Sequence, residues 1–166
     1  TQTKDLFKRK YTQQFFTTNY KYILQDLEIP KNVKYIIEPF VGNGYLLNFI
    51  QNRNDYKIKC YDIEKKENSK KRDTLLNPPS YKGKFILTNP PFLARNKSKD
   101  KKLFDLYKVN DLYKCFIKNL LTNKCYGGII IVPLNFWSSI RNMDIKLRKE
   151  FLKIYKINKL NIFEEN

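Results

Sequence analysis

Short apolar runs alternate along this chain with longer stretches in which apolar residues return every three or four positions. Val33, Tyr35, Ile36 and Ile37 lead into Glu38, and Phe85, Ile86 and Leu87 lead into Thr88. Such near-continuous apolar runs predict strands buried on both faces, over residues 33–38 and 84–88. Residues 56–61 and 129–132 are expected to be two more core strands, the second beginning after a break at Gly127-Gly128. The alternating character of residues 157–163 predicts another. Helical spacing marks 3–16 (Leu6, Phe7, Tyr11, Phe15) and 20–27 (Tyr20, Ile23, Leu24, Leu27), the latter capped from Thr17, Thr18 or Asn19 and stopped by Pro30. A helical stretch over 45–50, an amphipathic helix over 109–120 starting near Asn110 or Asp111, and a basic helix over 140–153 complete the pattern. Strands alternating with helices predict an α/β fold with a doubly wound, mostly parallel sheet.

Chemistry collects where the apolar runs stop. The run 84–88 ends at Asn89-Pro90-Pro91-Phe92. Prolines donate no ladder hydrogen bond and Pro91 fixes its φ, so this is a stiff loop at a strand end. At the carboxyl end of a parallel strand it faces the crevice in which open α/β sheets bind ligands. Asn89 offers an acceptor oxygen, Pro90 a second from its carbonyl, and Phe92 a flat apolar face: a set suited to a planar group bearing an NH2. A second Asn-Pro-Pro, at 77–79, has no strand-like run before it and Ser80 after it, and is expected to be a surface turn.

The run 33–38 ends at Glu38-Pro39-Phe40-Val41-Gly42-Asn43-Gly44. Gly42 and Gly44 permit positive φ and close approach of a ligand to the backbone. A dinucleotide fingerprint needs a third glycine where Leu47 stands, and no Gly-Lys-Ser/Thr phosphate loop is present. The loop therefore suits a nucleoside without a pyrophosphate. Asp62, 18 residues after Gly44 and at the expected end of the 56–61 strand, is placed to accept ribose hydroxyls.

Together the two stretches resemble the S-adenosyl-L-methionine-dependent amino-methyltransferases, specifically the adenine-N6 DNA methyltransferases. The resemblance runs along essentially the whole chain. It implies a Rossmann-like class I methyltransferase domain over 1–166 with S-adenosyl-L-methionine as cofactor and DNA as substrate. Phe16-Thr17-Thr18 matches the family's turn at the methionine end of the cofactor. Glu38, Pro39, Phe40, Gly42 and Gly44 match its glycine loop, Asp62 its ribose acceptor, Ile63 the residue against the adenine ring, and Asp73 the acceptor for the adenine amino group. Asn89, Pro90 and Phe92 match its catalytic loop, and Pro133-Leu134-Asn135-Phe136 its pattern after a later strand. Phe136 and Trp137 are read as packing residues. Related domains continue with a hairpin carrying the last strands, and often with a target-recognition domain, so the resemblance implies a core lacking its last strands and a specificity domain or subunit elsewhere. Asn89, where the cytosine-N4 branch more often has Ser, favours adenine.

Composition narrows the alternatives. With 33 basic and 16 acidic residues the chain carries +17, which favours a polyanionic partner. Arg95, Lys97, Lys99, Lys101 and Lys102 follow the Asn89 loop directly and are candidate phosphate contacts in a solvated loop that orders on nucleic acid. There is no histidine, and Cys60, Cys115 and Cys125 form no Cys-x-x-Cys pair. A His base, a zinc site and a disulfide scaffold are thereby disfavoured, and a reducing intracellular setting, cytoplasm or nucleus, is expected. The longest apolar run, over 129–134, is too short to span a bilayer. Protein-glutamine N5 methylation, RNA adenine methylation and a non-catalytic, basic nucleic-acid-binding subunit remain the other readings.

Overall fold

The computed structural model describes residues 18–164. Five strands form one all-parallel sheet: β1 (Tyr35–Glu38), β2 (Lys57–Asp62), β3 (Lys70–Lys71), β4 (Phe85–Thr88) and β5 (Gly127–Ile130). Their spatial order is β3-β2-β1-β4-β5, a Rossmann-like arrangement. From β1 the chain winds outward through β2 to β3, then returns to lay β4 on the other side of β1 and continues to β5. The winding direction reverses between β1 and β4, and the carboxyl ends of strands at such a reversal are where open α/β sheets bind ligands.

Register sorts the strand residues into two core layers. Ile36 pairs with Phe85 and Ile37 with Ile86. Neighbouring residues of a strand point to opposite faces. Ile36, Phe85 and Leu87 pack with Ile23, Leu24, Leu46 and Ile50, supplied by α1 (Tyr20–Ile23), its following residue, and the 3-10 helix Tyr45–Phe49 with the residue after it. Ile37 and Ile86 pack on the other face with α2 (Lys102–Tyr107), α3 (Leu112–Thr122) and α5 (Asn142–Ile154), through Phe104, Phe116, Leu120, Leu147 and Phe151. A short helix, α4 (Asn135–Ser138), lies between β5 and α5. Both faces of the sheet are therefore covered, as the apolar runs require.

Several boundaries depart from the sequence expectations. The 20–27 helix is a single turn with no side-chain cap at Asn19, and 45–50 closes as a 3-10 helix. Gly127 and Gly128 do not break the chain before β5. They open the strand and pair with Phe85 and Ile86, because a Cβ at 128 would sit 2.7 Å from the Ile86 carbonyl oxygen. Residues 157–163 form no strand. Asn161 Nδ2 instead donates to the carbonyls of Ile23 (3.1 Å) and Gln25 (2.9 Å), Lys159 Nζ donates to that of Asp26 (2.7 Å), and Phe163 packs on the α1 layer. Those side-chain bonds satisfy carbonyls at the end of α1, so the segment is held without a ladder. The short α2 and the two-residue β3 had no clear periodic signal. Among the described residues no helix is long and apolar enough to cross a membrane. The expected helix over 3–16, with Phe16 and Thr17, lies outside the described residues.

Gly128→Ala is expected to destabilise the fold by about 1–3 kcal/mol through overpacking against the Ile86 backbone. Gly127→Ala, whose added Cβ meets only the Phe85 ring at 3.8 Å, should cost far less. Chemical denaturation of the two variants checks the difference.

Candidate functional site

Three strands deliver the predicted residues to one edge of the sheet. Glu38 ends β1, Asp62 ends β2, and Asn89 follows Thr88 at the end of β4. Glu38 is 1% exposed, and its Oε1 accepts the Thr88 hydroxyl and the Phe40 N–H (3.0 Å). The Thr88 bond joins β1 to β4 at the point where the winding reverses. Burial pushes the Glu38 carboxyl up to about 8. The two hydrogen bonds oppose that rise, and the Asp62 charge adds to it. At neutral pH Glu38 is therefore mostly a neutral acid, with an O–H to donate.

The glycine loop has the backbone its sequence implied. Gly42 and Gly44 have φ of 54° and 77°, and Val41 N–H reaches across to the Tyr61 carbonyl (2.9 Å). Asp62 holds the loop from the next strand: Oδ2 accepts Gly42 N–H and Oδ1 accepts Glu64 N–H, both at 2.9 Å. Each oxygen keeps capacity for a further donor such as a ribose hydroxyl. Ile63, half-buried, comes directly after. Asp73 starts a turn in which its Oδ1 accepts the N–H of Leu75 and Leu76. The buried Thr74 hydroxyl donates to the Pro39 carbonyl (2.9 Å), which draws that turn against the β1 loop. Pro39 is buried and Phe40 packs edge-on against Phe116, so Phe40 contributes to the core as well as to the loop. The structure thus brings Glu38, Pro39, Phe40, Gly42, Gly44, Asp62, Ile63 and Asp73 together. Thr18 is exposed ahead of α1, which packs on the 3-10 helix after Gly44.

Asn89 is 2% exposed, yet neither its Oδ1 nor its Nδ2 has a hydrogen-bond partner among the described residues. Leaving a buried polar group unpaired costs about 1–3 kcal/mol, so an amide unpaired at both ends needs a reason. The other Asn-Pro-Pro supplies the contrast. There Arg72 binds Asn77 O (2.7 Å), Asn77 Oδ1 (3.3 Å) and Pro78 O (3.2 Å), and Asn123 Nδ2 binds Pro79 O (2.7 Å). Asn77 and Ser80 are exposed, as a surface turn requires, although Pro79 is buried. Identical tripeptides are spent on structure in one place and left with an unpaired amide at a strand end in the other. Pro90 and Pro91 are buried and Phe92, half-buried, packs against the α3 layer.

The segment after Phe92 is more ordered than its charge suggested. Leu93 N–H donates to Asp111 Oδ1 (3.1 Å), Leu112 N–H to the Leu93 carbonyl (3.2 Å), and Arg95 N–H to the Asn110 carbonyl (2.8 Å). Arg95 also pairs with Asp105 (2.8 Å), and Lys101 Nζ donates to the carbonyls of Arg95 and Ser98. Of the five candidate phosphate contacts, Arg95 and Lys101 are thus committed to this loop, while Lys97 and Lys99 are exposed on it and Lys102 is exposed at the start of α2. Phe136 is buried against Tyr113, Trp137 and Phe151, consistent with a packing role. Two contributors escaped the sequence reading. Thr88 was legible only as a polar residue closing an apolar run, and Asp111 as a helix cap. Among the described residues no cluster of His, Cys, Asp and Glu could hold a metal ion.

No protein-family model matches this chain, and a search of curated proteins found none similar to it.

Because folding raises the Glu38 pKa, the folded state binds that proton more tightly than the unfolded chain does. Its contribution is intact below about pH 4.5 and is lost as pH rises through about 8. Thermal melts from pH 5 to 9 should show that loss, on the order of a few kcal/mol, and Glu38→Gln, which keeps the acceptor oxygen, should abolish it.

Proposed function

We propose that this chain is the catalytic core of a DNA methyltransferase that acts on the N6 amino group of adenine with S-adenosyl-L-methionine as methyl donor. The observation that carries the reading is Asn89: a buried side-chain amide without a partner among the described residues, followed by two buried prolines, at the carboxyl end of the strand beside the reversal point. The nearby donors and acceptors fit the proposed cofactor. Glu38, the Gly42–Gly44 backbone, Asp62, Ile63 and Asp73 would hold it, and it supplies a methyl group activated on a sulfonium.

The remaining roles belong to the chain's own groups. Asn89 Oδ1 and the Pro90 carbonyl accept the two hydrogens of the amine and turn its lone pair out of conjugation with the ring. As nitrogen takes the methyl group and gains positive charge, the same two dipoles stabilise it without having to reorient, and the charge is discharged when one N–H proton passes to water. Alignment does most of the work, so the absence of histidine is no obstacle. Phe92 stacks on the base, worth about 1–3 kcal/mol. That is comparable with the few kcal/mol needed to take a base out of a duplex. Stacking can hold the base but cannot choose a sequence, and target choice falls to a specificity domain or subunit. The net charge of +17 favours nucleic acid over a glutamine side chain as substrate.

Labelled-methyl transfer to duplex DNA, single-stranded DNA, RNA and a protein extract, with identification of the modified residue, tests the reading. N6-methyladenine in DNA is expected. Methylglutamine or methylated RNA alone would replace the substrate assignment, and cofactor binding without transfer to any of the four would favour a non-catalytic subunit. Asn89→Ala should lose transfer by at least about 100-fold while binding cofactor normally and melting near the wild type, since it removes two unpaired groups. Undiminished transfer in that variant sinks the assignment. Affinity for DNA should fall at least about tenfold between about 50 and 200 mM salt. A flat salt response would mean that the lysines do not contact phosphates.

A further inference from the structure

The first turn of α3 reaches two loops at once. On one side Asp111 and Asn110 hold the backbone of Leu93 and Arg95, immediately after the Asn89 loop. Lys114 Nζ, one turn along α3, donates to Asn110 Oδ1 (2.7 Å) and thereby fixes that residue from behind. The same ammonium pairs with Asp144 Oδ1 at 2.6 Å, and both side chains are buried, 5% and 4% exposed. On the other side Asp144 Oδ2 accepts the Ser139 hydroxyl (2.6 Å), in the loop that leads out of β5 through α4. Arg148 binds the carbonyls of Phe136 and Ser139 in that loop, and Tyr113 O–H donates to Asn135 Oδ1 (2.7 Å). β4 and β5 are parallel neighbours, with Thr88 in register with Ile130, so both loops leave the sheet at the edge that carries Asn89.

A buried ion pair is a poor way merely to join two helices. Desolvation of both charges offsets their attraction, and an apolar pair of similar size joins helices as well or better. α3 and α5 already share the layer of Phe116, Leu120, Leu147 and Phe151. What apolar side chains cannot do is hold Asn110 with one end and Ser139 with the other. We propose that Lys114 and Asp144 are a positioning couple that locks the Asn89 loop to the β5 loop and so fixes the mouth of the site. Its catalytic consequence rests on the function proposed above.

The test replaces the pair with apolar residues, Lys114→Met together with Asp144→Leu, so that no buried charge is left alone. Melting temperature should be unchanged or raised. Amide exchange at Leu93 and Arg95 should accelerate at least about tenfold. Emission of Trp137, the single tryptophan, should shift to the red, because it sits in the β5 loop beside Phe136. In the transfer assay kcat should fall about 100-fold, with binding of S-adenosylhomocysteine unaltered. A stable double variant with wild-type exchange, emission and kcat overturns the proposal. If the double variant does not fold, Ser139→Ala removes the bond from Asp144 to the β5 loop, together with the oxygen that accepts the Arg141 N–H (3.3 Å), and leaves the Arg148 and Tyr113 contacts in place; wild-type emission and kcat in that variant overturn the proposal equally. Wild-type protein that methylates no acceptor overturns the functional reading alone, because exchange and emission decide the coupling of the loops without it.

Discussion

Ile36 and Ile37, in register with Phe85 and Ile86, set β1 parallel to β4 and place the polar ends of both strands side by side. Every other feature of the site depends on that pairing. That register brings Glu38 alongside Leu87, so Thr88, one residue further, is within reach of the carboxyl, and the hydrogen bond between them is buried. The winding must reverse between these strands, and the reversal leaves their carboxyl ends uncovered by a connection. The position at which open α/β sheets bind ligands is thus a by-product of the topology. Which ligand it suits is decided by the residues the strands carry there.

Those residues follow two different logics. Around the glycine loop, polar groups are largely satisfied by the protein: Asp62 by two backbone N–H groups, Asp73 by its own turn, Thr74 by Pro39. The loop is preorganised, so a bound nucleoside would meet a frame already in place. Asn89 is the opposite case, buried with its hydrogen-bonding capacity unused by any of the described residues. Stability alone would favour an apolar residue at that position. A buried amide unpaired at both ends makes sense where a ligand completes its bonds.

Much of this was legible in the linear pattern. Strands over 33–38 and 84–88 were marked by apolar runs ending at Glu38 and Asn89, the strand over 56–61 by alternation of lysines with Ile58 and Cys60 ahead of Asp62, and the long α3 by Leu112, Phe116, Ile117 and Leu120 at helical spacing. Less legible were features whose cause lies far away in sequence. Gly127 and Gly128 read locally as a break but are required in the ladder by the Ile86 backbone. Residues 157–163 alternate like a strand, yet Asn161 and Lys159 bind carbonyls near α1. The lysine-rich segment after Phe92 read as solvated, whereas Asp111 and Asn110 give its backbone partners.

The α/β class, the main strands and the identity of the chemical groups at their ends can be read from the residues in order, because alternation, apolar runs and strand-terminating prolines leave a local mark. Which of those groups stay available depends on how the chain folds back on itself. The two Asn-Pro-Pro stretches are indistinguishable as tripeptides, and it is Arg72 and Asn123 that consume the first while nothing among the described residues reaches the Asn89 amide. Hydrogen-bond satisfaction is a property of the whole fold, set by partners that can lie anywhere in the chain, and no local pattern encodes it.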